Sequence, residues 1–429
     1  MGVDSEGLRV FYATGGPQDV VEAYRQEHLR EAGRQRLVTD VSVPYANQFF
    51  EACAAVGASA WVVSPHPRVD RLAHGAFLME HRPKPKACQK GGLAWHLGTI
   101  LYQLKLIASA VRFRADVAII GGAGHYWVYA VLRLFRVRVV PILHCTFWPA
   151  GFRQTSRIWQ LIHRLNGWFW RRHVFATIVV SSECARQVRE IAGEVRGPVL
   201  VALPLFRREL FGGIGPPPAQ RTPFTVMYAG RVEGYKGVFD LLEVAAALER
   251  REPGRYSFEI CGTGDALEKL REAVVERGLA SSVHLRGWLD RGQMAAAYAR
   301  SHVVITPTTS GFEEGFCQVS AEAILAGRPL VASRVCPAID HLGEVPVEIA
   351  PGDVEGYAEA IRRLAEETTL YEEKRSACAR VAEPYYDWSK GLGGVVLEVL
   401  SGALGPSGAG RGQQAPPRNQ SAEDRKVSP

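Results

Sequence analysis

TPTTSGFEEGFCQVSAEAILAGRPLVAS, residues 306–333, carries in order a polar loop, a helix and a strand. An apolar, strand-like run over 302–305 leads into it. The pattern predicts a helix over 317–326, stopped by Gly327 at a C′ position with Pro329 just beyond, and a strand over 329–332. A helix that starts where a strand has just ended presents unpaired N–H groups and the positive end of its dipole, which suits a phosphate. Glu314 stands in the loop ahead of those amides. Glu322 lies five residues past Cys317, or roughly 7–8 Å along the helix. Two carboxylates flanking an anion site match a nucleotide sugar, which has hydroxyls at both ends of a diphosphate. They also match a plain surface loop with an acidic helix start, so the remainder of the chain has to decide between the two.

With 429 residues, 47% hydrophobic and 22% charged, the chain is long enough for two globular domains. Its eight cysteines include no CxxC pair, so neither a zinc site nor a disulfide framework is expected and the compartment is read as reducing and cytosolic. The start, MGVDSEGLRV, lacks the apolar core of a signal peptide, and no 18-residue run is apolar enough to span a bilayer. The expectation is a cytoplasmic protein, at most peripheral at the cytoplasmic face of a membrane. The net charge of +7 is unevenly spread. Residues 1–210 hold 27 basic and 15 acidic side chains, whereas residues 211–429 hold 24 and 29. From Arg82 to Arg172 there are fifteen basic residues and one acid, Asp116. That half is expected to meet something anionic, such as a membrane surface, a lipid phosphate or a nucleic acid.

Along the chain, strands and helices alternate. A first strand over 8–13 ends in Thr14-Gly15-Gly16, a turn where backbone can approach a phosphate. A polar segment, 17–43, is predicted as an insertion or lid. A helix over 44–56, a strand over 60–63 and a loop over 66–90 follow. Leu93, Leu97, Ile100, Leu101, Leu104, Ala108 and Val111 form the stripe of an amphipathic helix whose polar positions are basic. Then come a strand over 117–120, a helix over 126–135, a strand over 137–143 ending at His144, an aromatic and basic helix over 157–172, and a strand over 177–180. This is a parallel, doubly wound pattern. Residues 206–222, FRRELFGGIGPPPAQRT, read as a linker between domain 1–205 and domain 223–382. The second domain repeats the alternation: strands over 224–229, 256–261, 283–285 and 347–349, and helices over 238–249, 291–299 and 354–366, the last capped by Asp353. A terminal helix, 383–401, is expected to pack back on the first domain. Residues 402–429 are low-complexity and expected to be disordered.

Arg231 and Lys236 lie in the loop after the first strand of the second domain. Strand ends face the crevice in this architecture, so both could reach a phosphate at the Gly315–Phe316 helix end, one as a bidentate clamp and one as a point charge. They could equally be solvated loop cations. Gly262-Thr263-Gly264 is a GxG without the third glycine, which speaks against a dinucleotide fingerprint. His144 is either a structural histidine or a cleft residue, and no catalytic triad or metal triad is apparent. Taken together, GR-x4-KG (Gly230 to Gly237), the GTG turn and EGF-x4-AEA-x3-GRPLVA resemble the second domain of GT-B retaining glycosyltransferases of family 4, the group 1 type. The resemblance covers roughly 222–366 and extends to 93–200.

The resemblance implies a GT-B fold, two Rossmann-like parallel-sheet domains across a cleft. It implies that Arg231 and Lys236 neutralise the donor diphosphate, that Glu314 holds hydroxyls of the transferred sugar, and that Glu322 holds the ribose. Backbone at Gly315, Phe316 and Cys317 would line sugar and phosphate, His144 would lie at the reacting sugar, and Gly15 and Gly16 would approach the phosphate. Gly230, Gly262, Gly264 and Trp288 complete the donor-binding set. Two departures stand out: the long segment after Gly16, and Cys317 where a small Gly or Pro is common. The implied reaction is retaining hexosyl transfer, polarised by Arg231, Lys236, Glu314 and His144, without a cofactor or an essential divalent metal. The implied partners are a nucleotide-diphosphate-sugar donor and a glycan or lipid-linked acceptor; the basic, aromatic first domain adds an expected peripheral contact with anionic membrane, and with no recognised nucleic-acid module no nucleic acid is expected. A catalytically silent nucleotide-sugar scaffold and a nucleotide-sugar epimerase are the alternatives.

Overall fold

A computed structural model describes residues 7–29, 41–122, 124–152 and 156–404. The first domain is built on eight strands: β1 (Arg9–Ala13), β2 (Ser59–Ser64), β3 (Arg71–His74), β4 (Phe77–His81), β5 (Val117–Gly121), β6 (Arg138–Leu143), β7 (Thr177–Val179) and β8 (Val199–Val201). They lie in the order β3-β4-β2-β1-β5-β6-β7-β8, all neighbours parallel except the antiparallel β3–β4 pair. Helices cover both faces, so central strands are apolar throughout: Val10, Phe11, Tyr12 and Ala13 of β1 are all buried. The second domain holds β9 (Phe224–Ala229), β10 (Tyr256–Cys261), β11 (Val283–Gly287), β12 (Val303–Thr306), β13 (Leu330–Ser333) and β14 (Pro346–Ile349), all parallel, in the order β11-β10-β9-β12-β13-β14. In each sheet the chain builds outward to one side and then returns to the other. The direction reverses between β1 and β5 and between β9 and β12, and crevices at such switch points are where open α/β sheets bind ligands.

Several elements differ from the sequence expectation. Residues 66–90 are not a loop: they contain β3, β4 and a 3-10 turn, Lys86–Gln89. β3 is an edge strand with mostly exposed side chains, so it lacks the apolar run that marks the central strands. Residues 126–135 wind as a 3-10 helix, Tyr126–Phe135. Of the expected insertion 17–43, residues 30–40 lie outside the described residues. The part before them is the helix that follows β1, Val20–Tyr24, capped by the Asp19 carboxylate accepting from Glu22 N at 3.0 Å, and continued by a π-helical turn, Arg25–Leu29. The second domain also has a helix, Thr368–Val381, that the periodicity did not single out. Residues 206–222 are not bare linker, since Phe206 and Phe211 are buried and Arg208–Phe211 is helical.

The chain then returns. Helix Leu392–Leu404 packs on helix Tyr45–Ala55 of the first domain, and Val396 and Leu400 join its core. The Trp388 indole N–H donates to Glu51 Oε2 at 2.9 Å, and the Gly393 amide to Gln48 Oε1 at 3.2 Å. Of the low-complexity end, residues 402–404 belong to this helix and 405–429 lie outside the described residues. Because Leu400 is fully buried in first-domain core, Leu400→Ala is expected to cost about 2–5 kcal/mol by the transfer and cavity terms. Denaturant unfolding followed by fluorescence measures it; a loss below about 0.5 kcal/mol would mean that the helix is only loosely docked.

Candidate active site

The carboxyl ends of the two sheets face each other. A Cβ placed on Gly315 would sit 1.9 Å from the His144 carbonyl oxygen and 3.0 Å from Val180 Cγ2, so only a glycine lets the two domains meet here. Around this point Thr146 Oγ1 donates to the Glu314 carbonyl at 3.3 Å, and Ser42 Oγ to Gln318 Oε1 at 3.1 Å. The Ser182 amide donates to His341 Nε2 at 3.0 Å, and its hydroxyl to Asp340 Oδ2 at 2.7 Å. The cleft beside these contacts holds about 420 Å³ and is lined from both domains.

Gly237, at φ 77°, places the loop after β9 against Pro307, leaving no space for a side chain; a Cβ would be 1.9 Å from the Pro307 oxygen. That contact brings Lys236 to Glu314. The ammonium donates to Glu314 Oε1, and Thr308 Oγ1 donates to Glu314 Oε2 at 2.9 Å, so both oxygens of this buried carboxylate are engaged. Burial pulls the Lys236 pKa down, but Cys317 and Glu314 more than offset it, leaving it above the ordinary lysine value. Tyr235 and Phe312 stack at 4.6 Å beneath the cations, with Lys236 Nζ 4.5 Å and Arg231 Cζ 5.8 Å from the Phe312 centroid. Arg231 itself is exposed at the cleft mouth.

The predicted helix begins at Gln318, one residue later than expected, and runs Gln318–Leu325. Its N-cap is Cys317, in the left-handed region at φ 47° and without a side-chain cap bond. The departure at Cys317 thus falls where an L side chain is strained by roughly 1–2 kcal/mol and a glycine is not. Glu322 is buried one turn in and accepts from Tyr298 OH at 2.8 Å. Burial pushes its pKa up to about 7, against the lowering effect of that hydrogen bond. His144 is held near 4 by burial and is therefore neutral at neutral pH. Its ring lies 5.0 Å from Tyr45. Two polar atoms in this lining, His144 Nε2 and Thr306 Oγ1, have no partner among the described residues and are open to a hydrogen bond from a ligand.

The structure brings together His144, Gly230, Arg231, Lys236, Glu314, Gly315, Phe316, Cys317 and Glu322. It does not bring the other candidates into that lining. Gly15 borders it, since a Cβ there would lie 3.4 Å from the His144 ring and 3.1 Å from the Gly122 amide; Gly16 has nothing within 4 Å. Gly262 and Gly264 instead let the loops after β9 and β10 pack, their Cβ positions falling 1.8 Å from the Gly230 oxygen and 2.3 Å from the Val232 oxygen. Trp288 follows outer strand β11 and is exposed. Sequence reasoning missed Thr308, Tyr298, Thr306, Tyr235, Phe312 and Tyr45. Tyr235 lay inside the GR-x4-KG motif and Thr308 inside the polar loop, so their positions carried a signal. Among the described residues, Glu314, Cys317 and Cys336 place one potential metal-ligand atom each within 4.8 Å of one another, but the Lys236 ammonium already holds that carboxylate.

The sequence model of the family described as glycosyl transferases group 1 matches residues 223–367, nearly all of the second domain. It is the second domain that carries the match to this family. Among curated proteins, the chain is 24% identical over 346 residues to a glycogen synthase of Mycobacterium tuberculosis, covering 76% of this chain and 80% of that enzyme. It is 30% identical over 181 residues to the alpha-D-kanosaminyltransferase of Streptomyces kanamyceticus, covering 41% of this chain and 45% of that enzyme. The fold is similar to that of Anabaena HepE in complex with UDP (TM-score 0.62, 17% identity, 92% of this chain and 100% of that one). It is also similar to that of sucrose-phosphate synthase of Thermosynechococcus elongatus (TM-score 0.65, 16% identity, 92% and 98%). The architecture is GT-B, with the cleft between its two sheets.

The buried Lys236–Glu314 pair is held by mutual neutralisation. Lys236→Met strands a buried carboxylate and is expected to cost about 3–5 kcal/mol, whereas Lys236→Met with Glu314→Gln removes both charges and recovers most of it. Denaturant melts of both variants decide this; equal losses would show that the pair is not energetically coupled.

Proposed function

We propose that the cleft transfers a hexosyl group, with retention, from a nucleotide-diphosphate sugar to a hydroxyl of a glycan or lipid-linked acceptor of the cell surface. The observation that carries the reading is the convergence of Arg231, Lys236 and the uncapped start of helix Gln318–Leu325 on one side of a cleft whose other side presents neutral His144. The diphosphate lies against the cations and the helix amides, so charge developing on the leaving nucleoside diphosphate meets preorganised donors. No divalent metal is needed in this account, because two side-chain cations and the helix dipole supply the positive potential. Glu314, backed by Lys236 and Thr308, accepts from sugar hydroxyls, and His144 Nε2 faces the sugar. Glu322 accepts from the ribose.

The sugar–diphosphate C–O bond breaks with the electron pair leaving on the diphosphate, the sugar passes through an oxocarbenium-like state, and the acceptor oxygen bonds on the same face. The acceptor proton goes to the departing diphosphate oxygen, so the step requires no separate protein base. The acceptor enters from a second cavity of about 550 Å³, lined by 17–20, 22–23, 26–27, 42–47, Arg207 and Arg291 among others, which shares Tyr45 and Gln318 with the donor cleft. The polar lining residues Asp19, Gln26, Asn47 and Arg207 suit a polyhydroxylated acceptor.

Incubation with UDP-, GDP- and ADP-sugars should show turnover of one donor that survives EDTA, with the product anomer matching the donor by NMR. Arg231→Ala, Lys236→Ala and Glu314→Ala should each lower kcat/KM by about 100-fold or more. Undiminished turnover in all three would remove the assignment, and turnover without transfer to any acceptor would favour an epimerase. The Glu322 carboxylate gives a pH signature. Its free-site pKa of about 7 means that the ionised, hydroxyl-accepting form is lost as pH falls. Donor affinity should therefore rise by about tenfold from pH 6 to pH 8, flattening above, and Glu322→Gln should abolish the dependence. Calorimetric titration at several pH values reads this, and an unchanged slope in the variant would separate Glu322 from the donor.

A further inference from the structure

The leucine stripe of helix Gly92–Arg112 faces outward. Leu93, Leu97, Leu101 and Leu104 are 73, 54, 57 and 46% exposed, while the polar Gln103 and Ser109 of the same helix are buried against the domain. An amphipathic helix normally turns its apolar stripe to the core. Here the core-facing side is satisfied by other residues, and the stripe is left to something outside the chain. The two crossovers that follow in the same layer continue the surface. The 3-10 helix Tyr126–Phe135 packs beside Gly92–Arg112 and exposes Leu134 and Phe135, and helix Arg157–Arg172 packs beside that and exposes Ile158 and Leu161. Lys105, Arg133, Arg136 and Arg164 are exposed on these same elements, and the only acid in the sequence from Arg82 to Arg172 is Asp116.

We propose that this face seats the protein on an anionic lipid bilayer, with the leucines at the boundary of headgroups and acyl chains and the basic side chains on lipid phosphates. Apolar side chains on one surface with Lys and Arg at their edge are the composition of an interfacial anchor. Among the described residues no helix is long and apolar enough to cross a membrane, so the contact is one of lying on the surface. A second copy of the chain is the poorer occupant. A two-fold interface would set the same basic residues against themselves, with no acid on the three elements themselves to pair them. The proposal stands on the exposed face alone and is independent of the reaction assigned to the cleft.

Vesicles of phosphatidylcholine, with and without phosphatidylglycerol, test it by co-sedimentation with the full chain. The wild type should bind the phosphatidylglycerol vesicles, less so at high salt. Leu93→Ser/Leu97→Ser/Leu101→Ser/Leu104→Ser should lose about tenfold or more of that binding. Lys105→Glu/Arg164→Glu should lose the preference for anionic vesicles while keeping the weak binding to neutral ones. Unchanged thermal melting shows that both variants are folded. Wild-type protein that stays in the supernatant with anionic vesicles overturns the proposal, as does a leucine variant that binds like the wild type. A dilute-solution dimer by light scattering that the leucine variant dissociates also overturns it, and makes the face an interface between copies.

Discussion

Gly315 meets the backbone of His144 with no room for a side chain, and the geometry of the cleft follows from that contact. It fixes the separation of the two sheets. It sets His144 on the first-domain side opposite Lys236, Arg231 and the start of helix Gln318–Leu325, and so defines a volume of about 420 Å³ between them. Thr146, Ser182 and Ser42 add hydrogen bonds across the same seam, but each of those could lengthen by a fraction of an ångström without changing the register. A glycine against a carbonyl cannot be replaced so easily, because any Cβ forces the domains apart.

Within the second domain, close packing of loops does a second job. Gly237 against Pro307 joins the loops after β9 and β12, while Gly262 and Gly264 join the loops after β9 and β10. The cations therefore ride on a backbone clamped from two sides. The Lys236 charge is balanced by Glu314, and the charged ends of Lys236 and Arg231 lie over the Tyr235–Phe312 stack. An arrangement organised before a donor arrives is what electrostatic stabilisation of a leaving group requires. The left-handed Cys317 and the buried Glu322 are the costs carried by the same segment, one as backbone strain and the other as desolvation of a carboxylate.

Much of this was legible in the residues. Central strands buried on both faces are near-continuous apolar runs, so β1, β5, β9 and β12 declare themselves, and the Gly, Glu and Lys positions of the second-domain loops carry a pattern specific enough to place Lys236, Glu314 and Glu322 in one site. Edge strand β3 was not legible, because mostly exposed Arg-Leu-Ala-His has no apolar signal. Nor were Thr308 and Tyr298, since a hydrogen bond to a carboxylate from a distant element leaves no trace in local spacing. The GTG glycines show the opposite difficulty: the residue type was informative, but the close approach it permits is to the neighbouring loop. The leucine stripe shows that periodicity finds a helix and its faces without saying which face the fold uses.

The central claim is that a nucleoside diphosphate sits between the loops after β9 and β12. Hydrogen–deuterium exchange with and without UDP, GDP or ADP tests it most directly. The account predicts slowed exchange at the amides of 230–237 and 315–320 on addition of the diphosphate that binds, with no comparable protection at 262–265 or 288. Protection confined to 262–265 and 288, or to the 17–27 cavity, would contradict it.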